Sequence, residues 1–389
     1  MKIASVEAWS VRLPRNLEAA TGTAGSPTAL RGAGDYRWSE VYPALYSTLF
    51  ETTLVKLTTD SGLTGWGEAQ APLVPEVACT IIDRLLAPVV QGCEFDGSRE
   101  AVEALWLRMY STMRVRGQTG GFMLDAISGI DIALWDLAGK IAGKSVASLL
   151  GATRARVPAY VSGLPASEKL AAARRSLEDG FQVFKLYHDG TERALLDTID
   201  QLRAEFGASI GIAVDALWRL DAVSAPPFGE ALDQRGALWL ECPLPPEDPE
   251  AHARLAAQIK TPIALGESYR SRFELLPFFR LGALRFLQPD LGRCGITESL
   301  RLARMAAEYG VAVVPHISIA MGPQIAAAIH FAAAAASCDL LEYNPAVFAT
   351  ANRFLPDPLR LDGARYIVPQ GPGLGVDLEL PAGILSSPR

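Results

Sequence analysis

A (β/α)8-type barrel joined to an N-terminal α+β capping domain is the fold this sequence predicts, and three observations lead to it. From about residue 125, short β-branched or aromatic runs alternate with helical patterns, the rhythm of parallel βα units. Eight such runs fit within ~220 residues, the strand count and the size of a closed barrel. Ahead of them the pattern is strand, turn, strand and then helices. A chain of 389 residues therefore divides into a smaller first domain and a larger second one.

The capping domain is assigned to residues 1–125. Residues 5–13 alternate as a strand does. Residues 15–40 are rich in Gly, Pro, Ser and Thr and read as a long loop that carries Arg31, Tyr36, Arg37 and Trp38. Residues 52–57 and 64–68 read as two strands around the turn Asp60-Ser61-Gly62, and helical patterns follow at 76–90 and 98–115. The barrel is assigned to 126–360. Its strands are placed at 157–161, 183–187, 210–214, 238–240, 263–265, 284–288, 311–315 and 340–342, with helices such as 167–179, 192–205, 249–260, 297–309 and 323–335 between them. The Gly- and Pro-rich tail, 361–389, is expected to run back to the capping domain.

Composition narrows the function. A net charge of −7 disfavours a phosphate backbone, so no nucleic-acid partner is expected. The five cysteines are odd in number, widely spaced and without a CxxC pair, which argues against a disulfide framework or zinc ribbon and suits a reducing cytosol. The N-terminus shows no apolar leader, and the greasiest stretch, 325–336, contains His330 and is too short to span a bilayer, so a cytoplasmic protein without a membrane partner is expected.

Several strands end in an ionisable residue. Asp215, Glu241 and Glu267 close the third, fourth and fifth runs at equal intervals of 26 residues. All strands of a barrel point their C-terminal ends to one face, so the three carboxylates converge there. Left alone they would repel one another; a hard dication with oxygen ligands, Mg2+, removes the conflict, whereas softer metals would call for His or Cys. Taken singly, each acidic residue is more readily a helix cap or a solvated turn, but the repetition across three consecutive units favours a metal triad. Asp290 and His316 end the sixth and seventh strands, and a carboxylate beside an imidazole fixes its tautomer and raises its basicity, as a general base requires. A period of two puts Lys185 and Tyr187 on one face of the second strand and His188 on the other. A lysine inside a closed barrel has no solvated edge to reach, which favours a functional Lys185, while Tyr187 could be packing only. Glu342, at the end of the eighth strand, is a candidate partner for a substrate oxygen or a plain cap.

At this point the chain resembles the enolase superfamily, and most closely its mandelate racemase branch, over nearly its whole length. The segment 58–68 resembles that family's capping-domain hairpin and 128–140 its barrel-entry helix. Asp215, Glu241 and Glu267 match the metal ligands, Asp290 and His316 the Asp-His dyad, Lys185 the first lysine of Lys-x-Lys, and Glu342 the electrophilic glutamate. Residues 288–290 through 313–316 most resemble the acid-sugar dehydratases and sugar-acid lactone cycloisomerases. There are two departures: Tyr187 stands where the second lysine would be, and Leu217 where a substrate-touching asparagine would be. The resemblance implies a Mg2+ enzyme, expected to be a homo-oligomer. It would abstract a proton α to a carboxylate and then eliminate a β-oxygen from a small-molecule sugar acid or lactone, with His316 as base and His316 or Tyr187 as acid. Arg31, Tyr36, Arg37 and Trp38 would touch the distal part of that substrate, or be ordinary loop residues. Two other readings stay open: a racemase or epimerase using Tyr187 or His188 as a second acid/base, and a non-catalytic homologue that binds metal and ligand. Gly143-Lys144-Ser145 lacks the glycine and the preceding strand of a phosphate loop, and 371–375 is no dinucleotide fingerprint. His330 is expected to be structural and His252 to lie at the surface.

Overall fold

The structure, a computed structural model, describes residues 1–15, 30–41, 44–165, 168–380 and 383–386. Residues 16–29 of the expected loop and Ser167 at the start of an expected helix lie outside the described residues.

The N-terminal sheet is antiparallel and is built on two long strands, Ile3–Pro14 and Leu49–Thr59, paired from Ile3↔Thr59 to Pro14↔Leu49. Thr64–Ala69 adds to the second strand across the turn at 60–62. Part of the segment expected to be irregular is ordered as strand: Leu30–Arg31, Tyr36–Ser39 and Leu45–Ser47 form a small antiparallel sheet of their own. Its strands are only two to four residues long, and their buried positions include Ser39 and Ser47, so they carry little of the apolar alternation by which a strand is recognised in sequence. The helix Arg99–Arg114 starts on Ser98, whose hydroxyl accepts from Ala101 N–H, and buries Val102, Leu105, Trp106 and Met109 on one stripe. The next helix, Gly121–Ala142, is apolar almost all round because it is sandwiched between the N-terminal sheet and the barrel.

Eight parallel strands follow in chain order: Arg156–Ser162, Val183–Tyr187, Gly211–Asp215, Leu240–Glu241, Ile263–Leu265, Phe286–Leu287, Ala312–Val313 and Leu341–Tyr343. The eighth lies beside the first, and the ring closes between seventh and eighth through the Val313↔Cys338 bridge. Helices cross over between strands, several starting from a side-chain cap such as Thr191, Asp248 or Ser271, and Asn344 caps the helix after the eighth strand. Helices at Ala225–Asp233, Arg272–Leu281 and Pro345–Asn352 complete the units that the sequence patterns left unfilled. After the barrel the chain turns back: Gly373 bridges Ser145, Leu374 N–H donates to Asp136, and Leu385–Ser386 pairs with the first strand of the N-terminal sheet. Among the described residues no helix is long and apolar enough to cross a membrane.

Candidate active site

Alternation along the barrel strands builds the site. Tyr160, Ala213, Trp239, Ala264 and Val314 pack together as an apolar floor, with Val183, Phe286 and Leu340 against it. Two residues further along the same strands stand Ser162, Lys185, Asp215, Glu241, Gln288, His316 and Glu342, each lifted by one period toward the C-terminal mouth. The fifth strand departs from this count. Gly266, at φ 158°, breaks the alternation, and Glu267 rather than residue 266 supplies the carboxylate.

Asp215 and Glu241 are register partners on adjacent strands, and with Glu267 they offer oxygens that all lie within 4.8 Å of one another. One ammonium faces them. Lys185 Nζ is 2.6 Å from Glu241 Oε1, 2.9 Å from Glu342 Oε1 and 4.0 Å from Asp215 Oδ2. The second oxygen of Glu241 accepts from Gln288 Nε2 at 2.7 Å and from Trp239 Nε1 at 3.0 Å. Asp215 Oδ1 accepts the backbone N–H of Leu217 at 2.9 Å. The donor set is oxygen only, with more negative charge than one lysine balances, which is the chemistry a hard divalent cation fits. Burial, reinforced by Glu241, raises the Asp215 carboxyl well above its ordinary range. Burial also raises Glu267, against the pull of His316.

On the other side of the triad, His316 Nδ1 lies 2.7 Å from Asp290 Oδ2, and the two residues also form a backbone bridge. His316 Nε2 is 3.3 Å from Glu267 and 3.9 Å from Glu342. Burial alone would depress the imidazole, but Glu267, Glu342 and Asp290 outweigh it and push it up to about 10. Glu342 behaves oppositely: burial is overcome by Lys185 and His316, and its carboxyl falls to about 2. Its Oε2 accepts Ile317 N–H at 2.9 Å. His316 and Glu267 are the most exposed members of the charged ring, at 12% and 15%, so they mark the open side of the site.

Tyr187 points into the barrel with Lys185, whose Nζ lies 5.7 Å from its ring centre, and its hydroxyl is 2.9 Å from Ser162 Oγ. Burial raises the phenol, so Tyr187 is a neutral hydrogen-bonding group at neutral pH. His188 turns outward to Phe228, as the period of two requires, and burial lowers its imidazole to about 4. Leu217 is buried and sits at φ 54°, beside Trp218 at φ 53°, in a left-handed turn that aims the Leu217 amide at Asp215. Tyr36 donates to Glu51 at 2.9 Å and accepts from Val74 N–H, and Arg37 donates to Gly34, contacts that hold both within the N-terminal domain. Arg31 and Trp38 are exposed, Arg31 lying 4.0 Å from Glu40. His330 is buried, accepting Ala147 N–H and meeting the Leu374 carbonyl. His252, expected at the surface, is instead fully buried: its ring sits edge-on to Phe278 with Nδ1 2.8 Å from the Asp248 carbonyl. Ser162 and Gln288 were not singled out in the sequence because they carry no charge, although the two-residue step from Tyr160 and Phe286 marks both.

Comparison with known proteins accords with this geometry. Residues 168–382 match the enolase C-terminal domain-like model, and residues 48–151 match the N-terminal domain model of mandelate racemase / muconate lactonizing enzyme. The chain is 34% identical to a D-galactonate dehydratase of Ralstonia nicotianae over 84% of this chain and 88% of that protein. It is 32% identical to a D-galactarolactone cycloisomerase of Agrobacterium fabrum over the same shares. A crystal structure of an enolase-superfamily member from Agrobacterium tumefaciens superimposes with a TM-score of 0.93 at 31% identity, covering 99% of each chain.

Proposed function

The chain belongs to the mandelate racemase / muconate lactonizing enzyme family of the enolase superfamily, and from that membership we propose a Mg2+-dependent β-elimination on a sugar acid or its lactone. It is an enzyme, a lyase or an isomerase. Asp215, Glu241 and Glu267 would hold Mg2+, which when bound supplies positive charge to the substrate carboxylate as its α-carbon loses a proton.

The remaining chemistry falls to the chain's own groups. Asp290 takes the Nδ1 proton of His316 in a hydrogen bond and so leaves Nε2 as the basic atom, turned toward the open side of the ring. Glu267 is the largest influence keeping that imidazole protonated; with Glu267 committed to a cation, Nε2 would lose its proton and be free to remove the α-proton. Lys185, held as an ammonium by Glu241 and Glu342, adds fixed positive charge opposite. As the carbon–carbon double bond forms, the β-carbon–oxygen bond breaks, and the leaving oxygen takes a proton from His316 or from the Tyr187 phenol. That oxygen is a hydroxyl in a dehydratase and a ring or lactone oxygen in a cycloisomerase. Of the residues expected to touch the distal part of the substrate, Arg31 and Trp38 are exposed and Leu217 adjoins Asp215, whereas Tyr36 and Arg37 are engaged within the N-terminal domain as ordinary loop residues would be.

The observation that carries elimination over racemisation is the one-sidedness of the site. A racemase needs a base on each face of the α-carbon. Opposite His316 stand an ammonium locked between two carboxylates and a phenol raised by burial, while His188 faces away. The test uses D-galactonate and D-galactarolactone with Mg2+ in D2O, followed by NMR. Dehydrated or ring-opened product is expected, with His316→Asn losing both product and α-deuterium exchange. Exchange at the parent rate in His316→Asn would refute the base assignment. Deuterium entering recovered substrate as its α-epimer, without elimination, would instead establish the racemase.

A further inference from the structure

Behind His316 two loops meet, and both are gripped from the N-terminal domain. Glu68 and Gln70, at the end of the strand Thr64–Ala69 and just past it, are both buried. The Glu68 carboxylate accepts the backbone N–H groups of Met321 (2.7 Å), Gly322 (3.3 Å) and Gln324 (3.2 Å), where helix Pro323–Ala334 begins, and also the Thr52 hydroxyl. Gln70 N–H donates to the Gly292 carbonyl at 2.9 Å, and the Ser128 hydroxyl donates to the same oxygen. The grip reaches the Asp-His pair through one side chain. Gln324, 1% exposed, donates from Nε2 to Asp290 Oδ1 at 3.0 Å, and Gly292 N–H donates to that oxygen at 2.8 Å. A side-chain carbon at residue 292 would overlap the Gln324 amide, so glycine there is what admits it.

We infer that Gln324 is a positioning residue that sets the orientation of His316, with Glu68 of the N-terminal domain holding it in place; this rests on the reading of His316 as the base. The physical reason lies in the carboxylate. Asp290 is fully buried, and its two oxygens are equivalent unless neighbours distinguish them. Two neutral donors on Oδ1 fix the torsion and leave Oδ2 alone for His316 Nδ1, which selects one tautomer and one ring plane. Without the Gln324 donor, Oδ1 keeps a single backbone partner and the carboxylate can turn. The N-terminal domain then shapes proton transfer as well as covering the barrel.

The test does not depend on a substrate. The chain has four histidines, so ring spectra of the 15N-histidine-labelled, Mg2+-loaded protein are simple, and the His316 signals are those missing in His316→Asn. The parent is expected to show a downfield, solvent-protected Nδ1 proton on His316. In Gln324→Met, which keeps length and volume but not the donor, that proton is expected to broaden away while the His330 signals, reporting the fold, stay in place. An unchanged His316 signal would overturn the inference. Should Gln324→Met lose the His330 signals as well, Glu68→Asp serves instead. It shortens the grip on residues 321–324 with the amide side chain intact, and the same loss or persistence of the His316 proton decides. With D-galactonate, kcat of Gln324→Met is expected to fall ~10–100-fold with KM little changed. A raised KM at unchanged kcat would contradict a positioning role. If His316→Asn turned over D-galactonate like the parent, the proposed mechanism would fail, while the spectra would still decide the role of Gln324.

Discussion

Adding Mg2+ to the purified chain is expected to raise its melting temperature, and the reason lies in the carboxylate cluster. Were all three ionised, oxygens within 4.8 Å of one another would repel by at least ~3.5 kcal/mol per pair at an effective dielectric constant of ~20, a cost that with burial holds the Asp215 carboxyl well above its ordinary range until a cation binds. Lys185, 4.0 Å from Asp215, and with its closest contacts on Glu241 and Glu342, offsets part of this. A dication that binds the folded cluster and not the unfolded chain stabilises by ~2.7 kcal/mol at one hundred times its Kd. Unfolding entropy near ~2.1 cal/mol/K per residue gives ~0.8 kcal/mol/K for 389 residues, so the midpoint should move up by ~3 °C. The assay is thermal denaturation followed by circular dichroism, in chelator and then across a Mg2+ titration. Asp215→Asn supplies the diagnostic contrast. It replaces a carboxyl that burial and Glu241 already disfavour as an anion and keeps an oxygen for Leu217 N–H, so without metal it should melt no lower than the parent, yet it should not respond to Mg2+. A parent indifferent to Mg2+, or an Asp215→Asn variant with the parent's full response, would refute the metal reading.

Two further outcomes follow from groups outside the cluster. Burial lowers the His330 imidazole from 6.5 to about 4, so the unfolded chain takes up this proton at higher pH than the fold does. Stability from this residue is present above 6.5 and is lost as pH falls toward 4, amounting to ~2 kcal/mol by pH 5. Urea midpoints should therefore fall less between pH 6.5 and 5 in His330→Gln than in the parent, and equal slopes would count against it. Gly266 sits at φ 158° with the backbone of Gln288 where a side-chain carbon would go. Gly266→Ala should cost ~1–3 kcal/mol or more and weaken Mg2+ binding by displacing Glu267; a variant that keeps both the parent's stability and its Mg2+ response would contradict the close approach.

The charged half of the site was legible because barrel topology turns position along the chain into position around a ring. Asp215, Glu241 and Glu267 recur at one interval since each βα unit there has one length, and a strand-end acid in each unit must face the same mouth. The same logic brought Asp290 to His316 without any contact being visible in the sequence, while the Lys185–Glu342 contact came only with the structure. What escaped notice was neutral or remote. Ser162 and Gln288 carry no charge to mark them, although each lies two residues past a floor residue of its own strand. The strands at 36–39 and 45–47 are too short, and their buried positions Ser39 and Ser47 too polar, to leave a periodic apolar trace. His252 was misplaced because a lone polar residue among alanines looks solvated, whereas its ring fills space against Phe278. Glu68 and Gln324 are separated by 256 residues and belong to different domains. No local pattern joins them, because their contact exists only once the barrel has closed and the N-terminal sheet has packed against its mouth. Side chains that orient the reacting groups are thus harder to read than the groups themselves. A carboxylate at a strand end announces its use through its cost when buried, while an amide that steadies it costs little and has its role only in the assembled fold.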